Sequence, residues 1–150
     1  MYTFKDSLAQ GTAGELRFLA LFPLLQMTDG RKADFILPNG RKADLKTESR
    51  STLQTANFAV EMYSSVDRPG AIERAVNDNI DYIVYMFADK KLFAFLAVQL
   101  LHYIHTAKHR IVMVPNKGYE TCVMLVPRAA ITHLEVTKQF LLEAKNEATN

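Results

Sequence analysis

Apolar and polar positions change period several times along the chain, and each change predicts an element. Over residues 6–22, Leu8, Leu16, Phe18, Leu19, Leu21 and Phe22 recur at helical spacing with Pro23 close behind, which predicts a first helix. Gly11 and Gly14 weaken its early turns and point to a close backbone approach or a late start. Residues 24–28 read as a short strand that turns at Asp29-Gly30. Two hairpin arms follow, residues 32–37 and 41–47, joined by Asn39-Gly40, the pair that best tolerates positive φ in a tight turn. Phe35 and Leu37 point away from the face that carries Asp34 and Ile36.

Residues 49–56 are a polar loop, and 57–64 alternate Phe58, Val60 and Met62 against Ala59, Glu61 and Tyr63 as a strand does. Pro69-Gly70 ends that strand, and 71–79 form a short helix with Ile72, Ala75 and Val76 inward. Residues 81–87 are strongly β-prone through Tyr82, Ile83, Val84, Tyr85 and Phe87, which predicts a central strand, and Asp89-Lys90-Lys91 turns it into 92–96. Helical patterns at 98–104, 128–134 and 138–150 enclose strands at 111–114 and 121–126. Helix, strands, helix, strands is the order of an α/β (α+β) domain with a mixed central sheet flanked by helices. One domain spans residues 1–150, with a core over about 6–100 and a C-terminal extension over about 101–150.

Composition narrows the function classes only a little. The chain has 150 residues, 49% apolar and 23% charged, ordinary for a globular domain with a sizeable core. A net charge of +2 does not by itself demand a nucleic-acid partner. The basic residues are unevenly spread, however: Arg31, Lys32, Arg41, Lys42, Lys46 and Arg50 crowd around the hairpin. Cys122 stands alone, which excludes an intramolecular disulfide or a cysteine zinc site and suits a reducing, cytoplasmic location. Lys5 and Asp6 interrupt any apolar run at the start, predicting no signal peptide, and no stretch has the apolar length of a membrane span.

The hairpin carries the chemistry. Residues i and i+2 of a strand share a face, so Asp44 and Lys46 project together and Asp34 on the neighbouring arm meets them. Two carboxylates and an ammonium on one sheet face are costly unless a cation or phosphate lies among them. Magnesium takes one or two carboxylates with waters and substrate phosphate oxygens. Asp34 and Asp44 supply the carboxylates, the Leu45 carbonyl a third ligand, and Lys46 an ammonium for the attacking water or the phosphate. Glu15, beside the small residues Ala13 and Gly14, is the best further acid, and Glu61 is the second candidate.

Glu15, Asp34 and Asp44-Leu45-Lys46, set on the segment Asp34-Phe35-Ile36-Leu37-Pro38-Asn39-Gly40, resemble the PD-(D/E)XK nuclease superfamily. That is the fold of type II restriction endonucleases and of junction-resolving enzymes, a phage enzyme among them. Ala33 stands where the family signature has proline, and the strand 57–64 is extra relative to the minimal family core of helix, three strands, helix and strand. The resemblance implies a restriction-endonuclease-like fold and a Mg2+-dependent DNA endonuclease, with Mn2+ as a substitute. It implies that Asp34 and Asp44 bind metal, that Lys46 assists catalysis and that Glu15 holds one of the metal's waters. It further implies duplex or branched DNA as partner, a homodimer, and a bacterial or phage-infected cytoplasm. Arg50, Arg68 and Lys117 are then the candidate nucleic-acid contacts.

Other readings compete. A catalytically silent nucleic-acid-binding or accessory protein could keep the same fold, and a plain hairpin with a surface Asp44–Lys46 ion pair contributes little to stability. His102, His105 and His109 fall on one helix face but lack a Glu or Cys partner at ligand spacing, so ordinary histidines are the better reading. Cys122 in its apolar strand reads as a small buried hydrophobe. Gly11-Thr12-Ala13-Gly14 lacks the lysine and spacing of a phosphate loop.

Overall fold

Tyr82, Ile83, Val84, Tyr85 and Met86 are all buried, so the strand they form is covered on both faces. A computed structural model describes residues 4–28, 33–64, 68–116 and 118–146. The elements run α1 (Phe4–Leu21), β1 (Gln26–Met27), β2 (Phe35–Ile36), β3 (Lys42–Thr47), β4 (Asn57–Ser64), α2 (Ala71–Asn77) and the buried strand β5 (Tyr82–Met86). They continue with β6 (Leu92–Leu96), α3 (Ala97–Thr106), β7 (Arg110–Asn116), β8 (Tyr119–Pro127), a 3-10 helix (Arg128–Leu134) and α4 (Thr137–Lys145). The α/β expectation is met, with helices set against two sheets.

The five-stranded sheet has the order β1-β2-β3-β5-β6. Its first three strands are an antiparallel meander, and β5 then joins β3 in parallel, with Asp44 opposite Ile83 and Lys46 opposite Tyr85. The second sheet, β4-β8-β7, is antiparallel. The strand 57–64 therefore leaves the first sheet and founds another with residues from beyond 110.

Alternation along β5 divides the core in two. Tyr82, Val84 and Met86 pack with Phe18, Phe22, Phe35 and Phe140. Ile83 and Tyr85 pack with Phe58, Val60, Phe95 and Ile72. Residues beyond 100 enter both clusters through Ile104, Val126, Ile131 and Phe140, so the C-terminal extension is built into the core.

The buried stripe of α1 is narrower than its sequence suggests. Phe18 is fully buried among Phe22, Phe35 and Phe140, whereas Leu16 is exposed, since two helical steps rotate it about 200° away. Gly14 has a steric reason. A Cβ there would lie 2.5 Å from the Thr47 hydroxyl oxygen, so α1 rests directly on β3, and the helix already begins at Phe4. The short helix α2 stops at Asn77, two residues early, and Asn79 follows with φ 59°. No helix among the described residues is long and apolar enough to cross a membrane.

Candidate active site

The Asn39-Gly40 turn sets the register on which the site depends. Gly40 takes φ 87°, a conformation that glycine adopts without steric cost. Leu37 N–H donates to the Arg41 carbonyl (2.8 Å), and Arg41 N–H donates to Asn39 Oδ1 (3.0 Å). With Phe35 paired to Ala43, Asp34 falls opposite Asp44. Asp34 N–H donates to the Ala43 carbonyl at 3.1 Å, and Leu45 N–H donates to Asp34 Oδ2 at 2.8 Å. One extended residue sends its N–H and C=O out by the same edge, so the Leu45 carbonyl faces the Asp34 side of β3.

The alternation predicted for β3 is present. Ala43 and Leu45 are buried, while Lys42, Asp44 and Lys46 are half-buried on the opposite face. Burial raises the Asp44 carboxyl to about 6. The Lys46 charge and the Asp34 N–H oppose that rise, and the Asp34 and Asp78 charges add to it. Glu15 joins them from α1, held against β3 by the Gly14–Thr47 contact. Its carboxyl is also raised, first by burial, then by the Asp34 charge, a hydrogen bond with Asp34, and the Asp44 charge. Glu15, Asp34, Asp44 and Lys46 thus form one electrostatic group drawn from a helix and two strands.

The other candidates lie apart. Glu61 forms an ion pair with Arg74 at 3.4 Å, both on the crossover between β3 and β5, so Glu15 is the acid that meets Asp34. Arg50 is exposed beyond β3, where its charge opposes the burial that raises Glu48. Arg68 is exposed just ahead of Pro69, which bridges to Tyr63. Lys117, Arg31 and Lys32 lie outside the described residues. His109 Nε2 is 2.6 Å from the Tyr103 hydroxyl and its ring stacks on Tyr103, while His102 and His105 are exposed. Cys122 is buried as a free thiol.

Two acids near the site were missed from the sequence: Asp78, which carries no local signal, and Glu48, which i, i+2 parity with Asp44 and Lys46 could have found. Asp78, at the C-terminal end of α2, reaches the field of Asp44 only because the crossover returns beside β3. Glu48 shares the face of Asp44 and Lys46 by strand parity. Burial raises its carboxyl, and its charge in turn raises the buried Tyr85 hydroxyl, whose larger cause is burial. Among the described residues no group of three or more His, Cys, Asp or Glu side chains is placed so that it could hold a metal ion.

Comparisons with protein-family models, with curated proteins and with solved structures return no match to this chain.

Proposed function

We propose that the chain is a metal-dependent DNA endonuclease of the restriction-endonuclease-like type. One observation carries the reading: Asp34 and Asp44 stand opposite each other on neighbouring strands, with Glu15 hydrogen-bonded to Asp34 and Lys46 beside Asp44. Such a group is unfavourable by itself, as the raised Glu15 and Asp44 carboxyls record. The arrangement of a helix, an antiparallel meander and a crossover to a parallel strand supports the same reading.

The donor set suits Mg2+ or Mn2+. Such an ion needs only one or two protein carboxylates, with substrate and water completing its shell. Asp34 and Asp44 would hold it, with the Leu45 carbonyl on the same edge of β3. When bound, it supplies Lewis acidity toward the phosphoryl oxygens and lowers the pKa of water. The chain's own residues do the rest. Glu15, whose carboxyl is raised by burial and by Asp34, accepts a proton from the attacking water, whose oxygen bonds to phosphorus as the P–O ester bond breaks. Lys46 places its ammonium beside the charge that builds on the phosphoryl group. The departing alkoxide takes a proton from solvent. A homodimer would supply the two sites needed to cut both strands of a duplex.

Gel assays of labelled duplex, branched and single-stranded DNA with Mg2+ or Mn2+ test this, with wild type beside Lys46→Ala. Cutting by wild type and not by the variant supports the reading. No cutting of any DNA by wild type refutes it and favours a binding role for the fold.

A further inference from the structure

Arg17, Arg50, Lys90 and Lys91 are exposed at one end of the five-stranded sheet, where the parallel pair β3 and β5 finishes. Among the described residues, none of Arg17, Lys90 and Lys91 is in an ion pair. Two acids lie near them. Glu48 is half-buried with a raised carboxyl, and Asp89 is occupied by Thr52, whose N–H and hydroxyl both donate to Asp89 Oδ2. A cleft of about 180 Å³ opens between α1 and the turn after β5, with Arg17 and Lys90 on its walls and Leu21 and Phe87 in its lining.

The loop over residues 49–56 begins beside this cleft, and it is pinned. Ala88 N–H donates to the Arg50 carbonyl at 3.0 Å. The Arg128 guanidinium lies over Phe87 and Phe93 and donates to the Thr52 carbonyl (3.1 Å) and to the Thr55 carbonyl. Between these anchors Leu53 is 91% exposed, the most exposed large apolar side chain among the described residues. A leucine so exposed on a loop tied at Arg50, Thr52 and Thr55 contributes little to packing. From Asp44 to Glu48 the chain advances roughly 13 Å, the axial length of about four base steps of duplex.

We propose that this end of the sheet holds the DNA strand leading away from the scissile phosphate. Arg17, Arg50 and Lys90 take its phosphates, and Leu53 wedges against a base. Nucleic acid as the occupant rests on the nuclease reading, whereas the exposed cations beside an apolar-floored cleft and the pinned leucine do not. Opening a stacked step costs a few kcal/mol, and a branch point has already met that cost. The wedge therefore favours branched DNA over continuous duplex.

The test is anisotropy titration of labelled four-way-branched DNA and its matched duplex in EDTA, which keeps binding separate from cutting. Arg17→Ala/Lys90→Ala is expected to weaken both complexes about tenfold and to flatten the salt dependence by nearly one unit per lost contact. Arg17→Lys/Lys90→Arg retains both. Leu53→Ser is expected to weaken branched DNA about tenfold, leave duplex unchanged, and remove the fluorescence rise of 2-aminopurine at the branch point. Unchanged affinity and salt slope in the charge variant, an unchanged 2-aminopurine signal in Leu53→Ser, or wild type that binds neither DNA overturns the proposal. Binding through these residues without cutting in Mg2+ defeats the nuclease reading alone. Wild-type cutting and binding by all variants defeats the surface alone.

Discussion

At the scale of single residues, the site carries a stability cost that its own variants should reveal. Asp44 has an ordinary value of 3.8 and is raised to about 6 in the fold. The folded state therefore holds more protons between these values, and stability falls as pH rises through that window. Asp44→Asn removes the charge. It should stabilise the protein by on the order of 2 kcal/mol at pH 8 while abolishing metal-dependent cleavage. Thermal melts at pH 8 and at about pH 2.5 check this, since the gain must vanish below 3.8, where Asp44 is protonated in both states. Glu15→Gln should reduce cleavage on the order of 100-fold. Glu61→Gln, which loses only a partly exposed ion pair with Arg74, should stay within about twofold. Rates of the two variants on one DNA substrate decide it, and the reverse order would shift the working acid to β4. Asp34, Asp44 and Lys46 were legible because a tight turn and strand parity make their meeting a local matter. Asp78 was not, because nothing in a run of residues announces which distant helix end will come to rest beside a carboxylate.

At the scale of elements, alternation and helical spacing found most strands and helices, and turn signals found the β2–β3 and β5–β6 hairpins, but the pairings between distant segments were missed. The strand β4 has clear two-residue alternation, yet its partner is β8, and no local period encodes that match. The face of α1 was read too broadly because leucines on the solvent side mimic a wider stripe, and Leu16 is exposed for that reason. Gly14 carried the sharper information, a contact with β3 rather than a weak helix. Gly14→Ala drives a methyl group into Thr47 and should cost about 1–3 kcal/mol. Because Glu15 rides on the same turn, cleavage should fall more than stability alone explains. Thr47→Ala in the same chain removes the nearest atoms and should restore part of both, as urea melts and cleavage rates of single and double variants would establish.

At the scale of the whole molecule, two clusters pack on either side of β5, the strand paired with the one that carries Asp44 and Lys46 of the site. Mg2+ or Mn2+ bound there should raise the melting temperature with concentration, as a native-state ligand does. Asp44→Asn should erase that rise; a metal-induced shift that survives the substitution would place the ion elsewhere. The turn end of the hairpin has a different attachment. Glu143 on α4 accepts from the Asn39 amide at 3.0 Å and from the Tyr82 hydroxyl, and pairs with Arg41 at 3.3 Å. The acidic hairpin is thus tied down by a side chain made about a hundred positions later in the chain. A ribosome delivers Asp34 and Asp44 early and Glu143 near the end of this stretch, and domains settle as units. The nascent chain therefore carries its acidic hairpin unbraced until α4 emerges to hold it.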